Sequence, residues 1–175
     1  MVARRWPKPS VEDLQRLSKH LPDEDGLDLI ILKGHLIVEE HLERIIRHVV
    51  AHGDLLSEAR LTFNHKVVLA RAMCWSQHQD SRWALIFVLN SLRNDLVHQL
   101  EPPKFDSKLK AFLAAHLAEY VETPSFQNMV PTWSTAAQLR TALALLMGFL
   151  GNYEKEAIAH RALVDDWLAK ANPPQ

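Results

Sequence analysis

The stretch that decides the fold runs from Leu27 to Ala51 and has the sequence LDLIILKGHLIVEEHLERIIRHVVA. Apolar side chains recur in it every three or four residues, and the charged side chains gather on the remaining arc. This spacing is typical of an amphipathic α-helix. The apolar stripe that we expect to face a core comprises Leu29, Leu32, Leu36, Ile37, Ile45 and Val49. The stretch therefore predicts one long helix of a helical bundle.

The remaining sequence also has the helical period, and no run alternates with the two-residue period of a strand. Ser10 and Asp13 form a capping pattern that opens a short helix ending near His20. Further helices are predicted over residues 64–75, 80–100, 106–121 and 135–171. Pro102 and Pro103 end the fourth helix, because proline lacks an amide donor and disfavours helix before it. We predict an all-α helical bundle around two long antiparallel helices, 27–51 and 80–100.

Length and composition indicate one globular domain over residues 1–175. The hydrophobic fraction is 47% and the formal net charge is −1, values that argue against disorder and against polyanion binding through overall charge. Residues 1–9 contain Pro7 and Pro9 and predict a flexible arm, and residues 104–175 predict additional helices. Any site for nucleic acid must therefore be a local patch.

Cysteine content and targeting patterns bear on the cellular location. The single cysteine, Cys74, excludes an internal disulfide bond. Residues 1–10 are basic, but no continuous apolar stretch follows them, so we expect no signal peptide. The longest apolar stretch, residues 141–150, is too short to span a bilayer. These observations predict a cytoplasmic protein that does not insert into membranes.

The segment LRNDLVH, residues 92–98, carries the most chemical information in the chain. Each residue of an α-helix advances about 100° around the axis, so Asn90, Asn94 and His98, spaced four apart, share a face. Arg93 lies beside that face and its long side chain can reach over it, and Asp95 flanks the same polar side. The spacing predicts an imidazole, two carboxamides and a guanidinium in one region of the surface.

These side chains match the needs of RNA cleavage without a metal ion. His98 has a suitable side chain for removing the proton of a ribose 2′-hydroxyl near neutral pH. Arg93 offers a forked donor for the charge that grows on phosphate oxygens, and Asn94 could orient the base or the phosphate. A second acid must protonate the leaving 5′-oxygen. A two-fold dimer would supply it from a second copy of the motif.

An ordinary bundle helix offers an alternative explanation, because its solvent-facing side often carries Asn, Asp, Arg and His. The spacing from arginine to histidine also recurs elsewhere in the chain. Arg47 and His52, with the polar His48 after the arginine, fit the whole Arg–polar–x–x–x–His pattern, and Arg60 and His65 fit it more loosely. The stripe from 90 to 98 is therefore also compatible with a surface that binds protein or nucleotide without catalysis.

The acidic part of the long helix suggests two further hypotheses. Glu39, Glu40, His41 and Glu43 could belong to a metal-binding carboxylate bundle, but this helix lacks the Glu-x-x-His pair that such sites use. Solvated helix surface is favoured, and we expect no metal ion and no cofactor. Glu39 or Glu40 is instead predicted to face the motif helix and to hold its arginine or its histidine in place.

Residues 92–98 resemble the Arg-x4–6-His signature of the HEPN superfamily, including the polar residue that usually follows the arginine. Upstream, residues 34–42, GHLIVEEHL, resemble the first long helix of such domains. Residues 63–72, FNHKVVLARA, resemble the short helix that often precedes the motif helix in bacterial members. The resemblance covers about residues 27–103 and is strongest at 92–98.

The resemblance implies an all-α bundle that dimerises, with two motifs facing each other across the dimer cleft. Many HEPN domains are metal-independent endoribonucleases that serve as toxins of toxin–antitoxin pairs or as antiviral effectors, and others only bind. Carried over to this chain, it places Arg93, Asn94 and His98 in the active site, with RNA as substrate and an antitoxin protein as a partner. Some HEPN toxins have a tyrosine two positions after the histidine that an antitoxin modifies. Leu100 stands there, so that form of control is not expected.

Overall fold

The computed structural model describes residues 8–23, 26–73, 79–117 and 129–171, and within those ranges every regular element is helical. The α-helices are α1 Val11–His20, α2 Leu27–Val49, α3 Phe63–Met73, α4 Arg82–His98, α5 Phe105–Leu117 and α6 Thr135–Ala171. Short 3-10 helices cover Gly53–Ser57 and Val130–Thr132. The predicted all-α helical bundle is confirmed. In the described ranges no helix has the length and apolar character needed to cross a membrane.

The predicted start of α1 is confirmed in atomic detail. The Ser10 hydroxyl accepts the Asp13 amide, and the Asp13 carboxylate accepts the Ser10 amide, each at 3.1 Å. This reciprocal pair satisfies two amides that the first turn of a helix leaves without partners. Ser134 caps α6 more simply, since its hydroxyl accepts the Ala137 amide at 3.2 Å.

Several predicted helix ends differ from the observed ones by a few residues. The second helix ends at Val49 rather than Ala51, because Val50 takes an extended conformation. The fourth covers Arg82–His98 rather than 80–100, because Gln99 is already extended. The N-terminal arm up to residue 7, the predicted end of the third helix at 74–75 and the connection from 122 to 128 lie outside the described residues.

The core forms chiefly where α2 lies along α6. Gly34 is so close to Leu143 that a β-carbon on the glycine would lie 2.5 Å from a Leu143 methyl carbon. Ten residues further along α2, Arg44 contacts Glu154 of α6 at 2.8 Å. Because both numbers rise together, the two helices run in the same direction. Because α2 packs mainly against α6, the predicted central pair, 27–51 with 80–100, is not the main contact of the bundle.

The apolar stripe predicted for α2 is partly wrong. Ile37 and Ile45 are buried as expected, but Leu29 is 44% exposed and Leu36 is 59% exposed. The segment is apolar around most of its circumference, so its periodicity is compatible with more than one buried arc. The partners of α2 decide the arc. They bury the side of Ile30, Ile31, Gly34, Val38 and Leu42.

Apolar packing also fixes the orientation of α4. Leu89 and Leu92 are fully buried, and the Trp83 ring lies 5.3 Å from the Phe149 ring of α6. Leu100, the predicted last residue of the fourth helix, lies beyond the observed end of α4 and is fully exposed. With its apolar face held in the core, α4 turns the polar residues of its second half toward α2, α3, α5 and solvent.

Candidate active site

The last turns of α4 place Arg93, Asn94 and His98 on accessible surface. His98 is the final residue of the helix and its side chain is exposed, whereas Arg93 and Asn94 are half-buried. Arg93 Nη1 donates a hydrogen bond to Asn94 Oδ1 at 3.1 Å. Residues 94 and 98 are one helical turn apart, where Cβ atoms lie about 5–6 Å from each other. The hydrogen bond therefore draws the guanidinium toward the same face as the imidazole.

The charge of Arg93 is available for a ligand. Its only hydrogen bond within the described part of the chain is the one to Asn94, and no carboxylate there forms an ion pair with it. A guanidinium stays protonated at every pH at which a protein folds, and its fork of N–H donors matches the oxygens of a phosphate. Chemically, Arg93 offers a guanidinium that can bind a phosphodiester, and His98 offers an exposed imidazole at the end of the same helix.

Asn90, predicted to support the site, has both ends of its carboxamide in use within the bundle. Its Oδ1 accepts a hydrogen bond from His35 Nε2 of α2 at 3.0 Å, and its Nδ2 donates to Asn64 Oδ1 of α3 at 3.0 Å. The side chain thus joins α4 to two neighbouring helices. Although Asn90 and Asn94 share the predicted stripe, only Asn94 remains turned toward the motif.

His35, the partner of Asn90 on α2, is buried, and only 4% of its surface is exposed. Its ring stacks on Phe63 with centroids 4.1 Å apart. Burial lowers the pKa of His35 below its ordinary value, and the nearby charges of Arg93 and Lys66 lower it further against the opposing effects of Asn90 and Glu39. His35 is therefore neutral near pH 7, with its proton on the nitrogen that faces Asn90.

Asp95 and Glu40, the other two predicted supporting residues, contact helices away from the motif. The Asp95 carboxylate forms an ion pair with Lys108 of α5, and the same ammonium donates to the Ser91 hydroxyl at 2.8 Å. The Glu40 carboxylate pairs with Arg16 of α1. It does not contact the arginine or the histidine of the motif, because residue 40 lies on the side of α2 that faces α1.

The acidic residues of α2 point to different partners rather than to a common centre. Glu39 and Glu43 both accept hydrogen bonds from Lys66 Nζ of α3 at 2.6 Å, while His41 faces Glu154 of α6. Within the described ranges no three ligand-type side chains stand close enough together to hold a metal ion. The geometry gives no support to the hypothesis of a carboxylate bundle.

A second polar cluster, which the sequence analysis missed, joins α1, α2 and α6. His41 Nε2 lies 2.8 Å from a Glu154 carboxylate oxygen and 3.8 Å from Asp13, and Arg44 donates to Glu154 at 2.8 and 3.2 Å. Burial alone would raise the pKa of Glu154, but hydrogen bonds from His41 and Arg44 lower it to about 2. A cavity of about 500 Å³ between α1 and α6 opens beside this cluster, away from the motif.

Comparison with known proteins adds no assignment: the chain matches no protein-family model, no curated protein and no solved structure.

Proposed function

We propose that this protein is a metal-independent endoribonuclease of the HEPN type that acts as a homodimer. One observation carries the proposal. Asn90 and Asp95 are occupied by contacts with other helices, whereas Arg93, Asn94 and His98, the residues that the chemistry needs, are left at the surface. The polar residues that remain accessible on α4 are thus those that an RNA-cleaving site requires.

The proposed reaction is an internal displacement at phosphorus. The ribose 2′-oxygen attacks the adjacent phosphorus, the bond from phosphorus to the 5′-oxygen breaks, and the products are a 2′,3′-cyclic phosphate and a 5′-hydroxyl. His98 accepts the proton of the 2′-hydroxyl, and Arg93 stabilises the charge on the non-bridging oxygens. Asn94 fixes the guanidinium through their hydrogen bond. In a dimer, the second His98 would protonate the departing 5′-oxygen.

Cleavage assays on single-residue variants test the proposal. Purified protein is incubated with labelled RNA in EDTA, and Arg93→Ala, Asn94→Ala and His98→Ala are compared with wild type. The matched control is His52→Ala, since Arg47 and His52 repeat the spacing of the motif and His52 is also exposed at a helix end. We expect the three motif variants to lose cleavage and His52→Ala to retain it. If all four variants lost cleavage equally, or if none lost it, the proposal that the active site lies on α4 would be wrong.

A non-catalytic binding module is the second candidate, and one observation favours it. Val97 is 49% exposed and Leu100 is fully exposed, so apolar surface flanks His98 on both sides. Such a surface suits a protein partner, either a second copy or an antitoxin. Expression in bacteria separates the two candidates. An active nuclease arrests growth and His98→Ala relieves the arrest, whereas a binding module leaves growth normal and still forms its complex when His98 is replaced.

A further inference from the structure

A small cavity at the end of α2 gathers cationic side chains that the proposed active site does not use. Its volume is about 220 Å³, the space of about seven water molecules. It lies between the C-terminal turn of α2, the segment 56–61 and the start of α3. Its lining contains three cations, Arg47, Arg60 and Lys66, and one carboxylate, Glu43, so the formal charge of the lining is +2.

The cations of this cavity differ in how far the protein neutralises them. Lys66 Nζ donates to Glu39 and to Glu43 at 2.6 Å each, so its charge is compensated within the fold. Among the described residues, Arg47 and Arg60 form no ion pair, and both are exposed. Two guanidiniums of fixed charge therefore line one cavity, and the one carboxylate in the lining, Glu43, is bound to Lys66. An anionic ligand in this cavity would meet two guanidiniums that form no ion pair with the described residues of the protein.

The backbone holds this arrangement in an unfavourable conformation. Arg60 has a φ of 45°, and it is the non-glycine residue with positive φ in the described ranges. A side chain with a β-carbon is strained there, and such strain is found preferentially at functional sites. The adjoining 3-10 helix Gly53–Ser57 is held close to α2, since a β-carbon on Gly53 would lie 3.2 Å from the Arg47 carbonyl oxygen. The strained residue Arg60 and the last turn of α2 at Arg47 thus both contribute to the wall of this cavity.

The other wall of the cavity is apolar. Ile46 is buried and the side chains of Leu56 and Leu61 are half-buried, and all three line the space beside the guanidiniums. A ligand that satisfies both walls has an anionic group with several acceptor oxygens next to a group with an apolar face. Forked guanidinium donors match phosphate oxygens, and leucine side chains accommodate the face of a base.

We propose that this cavity binds the phosphate of a nucleotide unit, with Arg47 and Arg60 on the phosphate and Leu56 and Leu61 against the ring. The unit could belong to a free mononucleotide or to an RNA strand, and the chemistry of recognition is the same for both. The proposal does not depend on the nuclease assignment, because Arg93, Asn94 and His98 are not among the residues that line this cavity.

Calorimetric titration of the full chain tests the proposal with three probes: AMP, inorganic phosphate and a 2′-O-methyl tetranucleotide that cannot be cleaved. Wild type should bind AMP at least about tenfold more tightly than Arg47→Gln or Arg60→Gly. Lys110→Gln, which removes an exposed cation of α5, is the matched control and should bind as wild type does. Arg60→Gly should keep or raise the melting temperature, because glycine tolerates positive φ, so its loss of binding is not loss of fold.

The three probes also decide the source and the class of the ligand. If AMP binds more tightly than the tetranucleotide, the ligand is a free nucleotide. If the tetranucleotide binds more tightly than AMP, the ligand is an RNA strand. Both results support the proposal. Inorganic phosphate bound as tightly as AMP would overturn it, because the apolar wall would then contribute nothing. It would also be overturned if wild type bound neither nucleotide probe, or if Arg47→Gln and Arg60→Gly bound AMP as wild type does.

Discussion

Replacing Asn90 by alanine should destabilise the fold, whereas the same change at Asn94 should not. Both residues are half-buried asparagines of α4 one turn apart, so the gain in helix propensity on changing to alanine is common to both. They differ in their contacts. Asn90 connects α4 to His35 of α2 and Asn64 of α3, while Asn94 contacts its neighbour Arg93. The difference between the two variants therefore isolates the contacts of Asn90 with the other helices.

The contacts of Asn90 set the size of the effect. His35 is 4% exposed, and removing Asn90 leaves its Nε2–H buried without an acceptor, at a cost of about 1–3 kcal/mol. The bond to Asn64 is open to solvent and adds about 0.5 kcal/mol at most. We expect the free energy of unfolding of Asn90→Ala to lie about 2 kcal/mol below that of Asn94→Ala, a decrease of about 1 M in urea midpoint for a slope near 2 kcal/mol per M.

Urea unfolding at pH 7, followed by far-UV circular dichroism, measures this difference. The slopes should match, so that the change in midpoint reports stability rather than compactness. In cleavage assays the order of the two variants should be reversed, so that the more stable variant is the less active one. Asn94→Ala should lose activity while remaining as stable as wild type, and Asn90→Ala should retain activity at temperatures where it is folded. Unfolding free energies within about 0.5 kcal/mol of each other would refute the structural role assigned to Asn90.

Three further predictions concern stability. Burial lowers the pKa of His116 to about 4, and the unfolded chain takes up that proton near 6.5, so stability is present above pH 6.5 and is lost as the pH falls toward 4. Urea unfolding should show a loss of about 2 kcal/mol between pH 7 and pH 5 that His116→Leu does not show, and equal losses would contradict this assignment. Gly34→Ala should cost about 1–3 kcal/mol because its β-carbon meets Leu143, and the double variant with Leu143→Ala should cost clearly less than the two single changes together. If the two costs simply add, the close approach of α2 and α6 is misplaced. Arg60→Gly should raise the free energy of unfolding by up to about 1 kcal/mol, since it relieves a positive φ, and a destabilised variant would disprove strain at that position.

Local patterns in the sequence were sufficient to predict the helices. The capping pair Ser10 and Asp13 and the start of the last long helix at residue 135 agree with expectation. Each depends on residues close together in the chain or on strong apolar periodicity. Such patterns report the local conformation directly.

The same local patterns could not predict which helices and side chains contact each other in the bundle. Leu29 and Leu36 carry the spacing of a core stripe, but which arc of α2 is covered depends on α6, more than a hundred positions away in the chain. Glu40 pairs with Arg16, and no feature of either segment signals the other. Glu154 likewise contacts His41 and Arg44, and no local pattern in the sequence indicates these contacts.

The sequence predicted which residues share the polar face of α4. It did not predict which of them contact neighbouring helices and which face solvent. Spacing alone placed Asn90, Asn94 and His98 on one face, since it measures rotation about the helix and nothing else. It could not show that Asn90 is hydrogen-bonded to His35 of α2, or that Asp95 forms an ion pair with Lys108 of α5. Separating the residues that hold α4 in place from those that face solvent required the neighbouring helices.

The central claim is that Arg93, Asn94 and His98 form an open site for cleaving a phosphodiester. The single-turnover cleavage rate of one RNA by wild type and by His98→Ala, in EDTA, tests it most directly. We predict that His98→Ala cleaves at least about 100-fold more slowly than wild type, as expected for loss of a general acid or base, while circular dichroism shows an unchanged fold. Equal rates for the two proteins would contradict the claim.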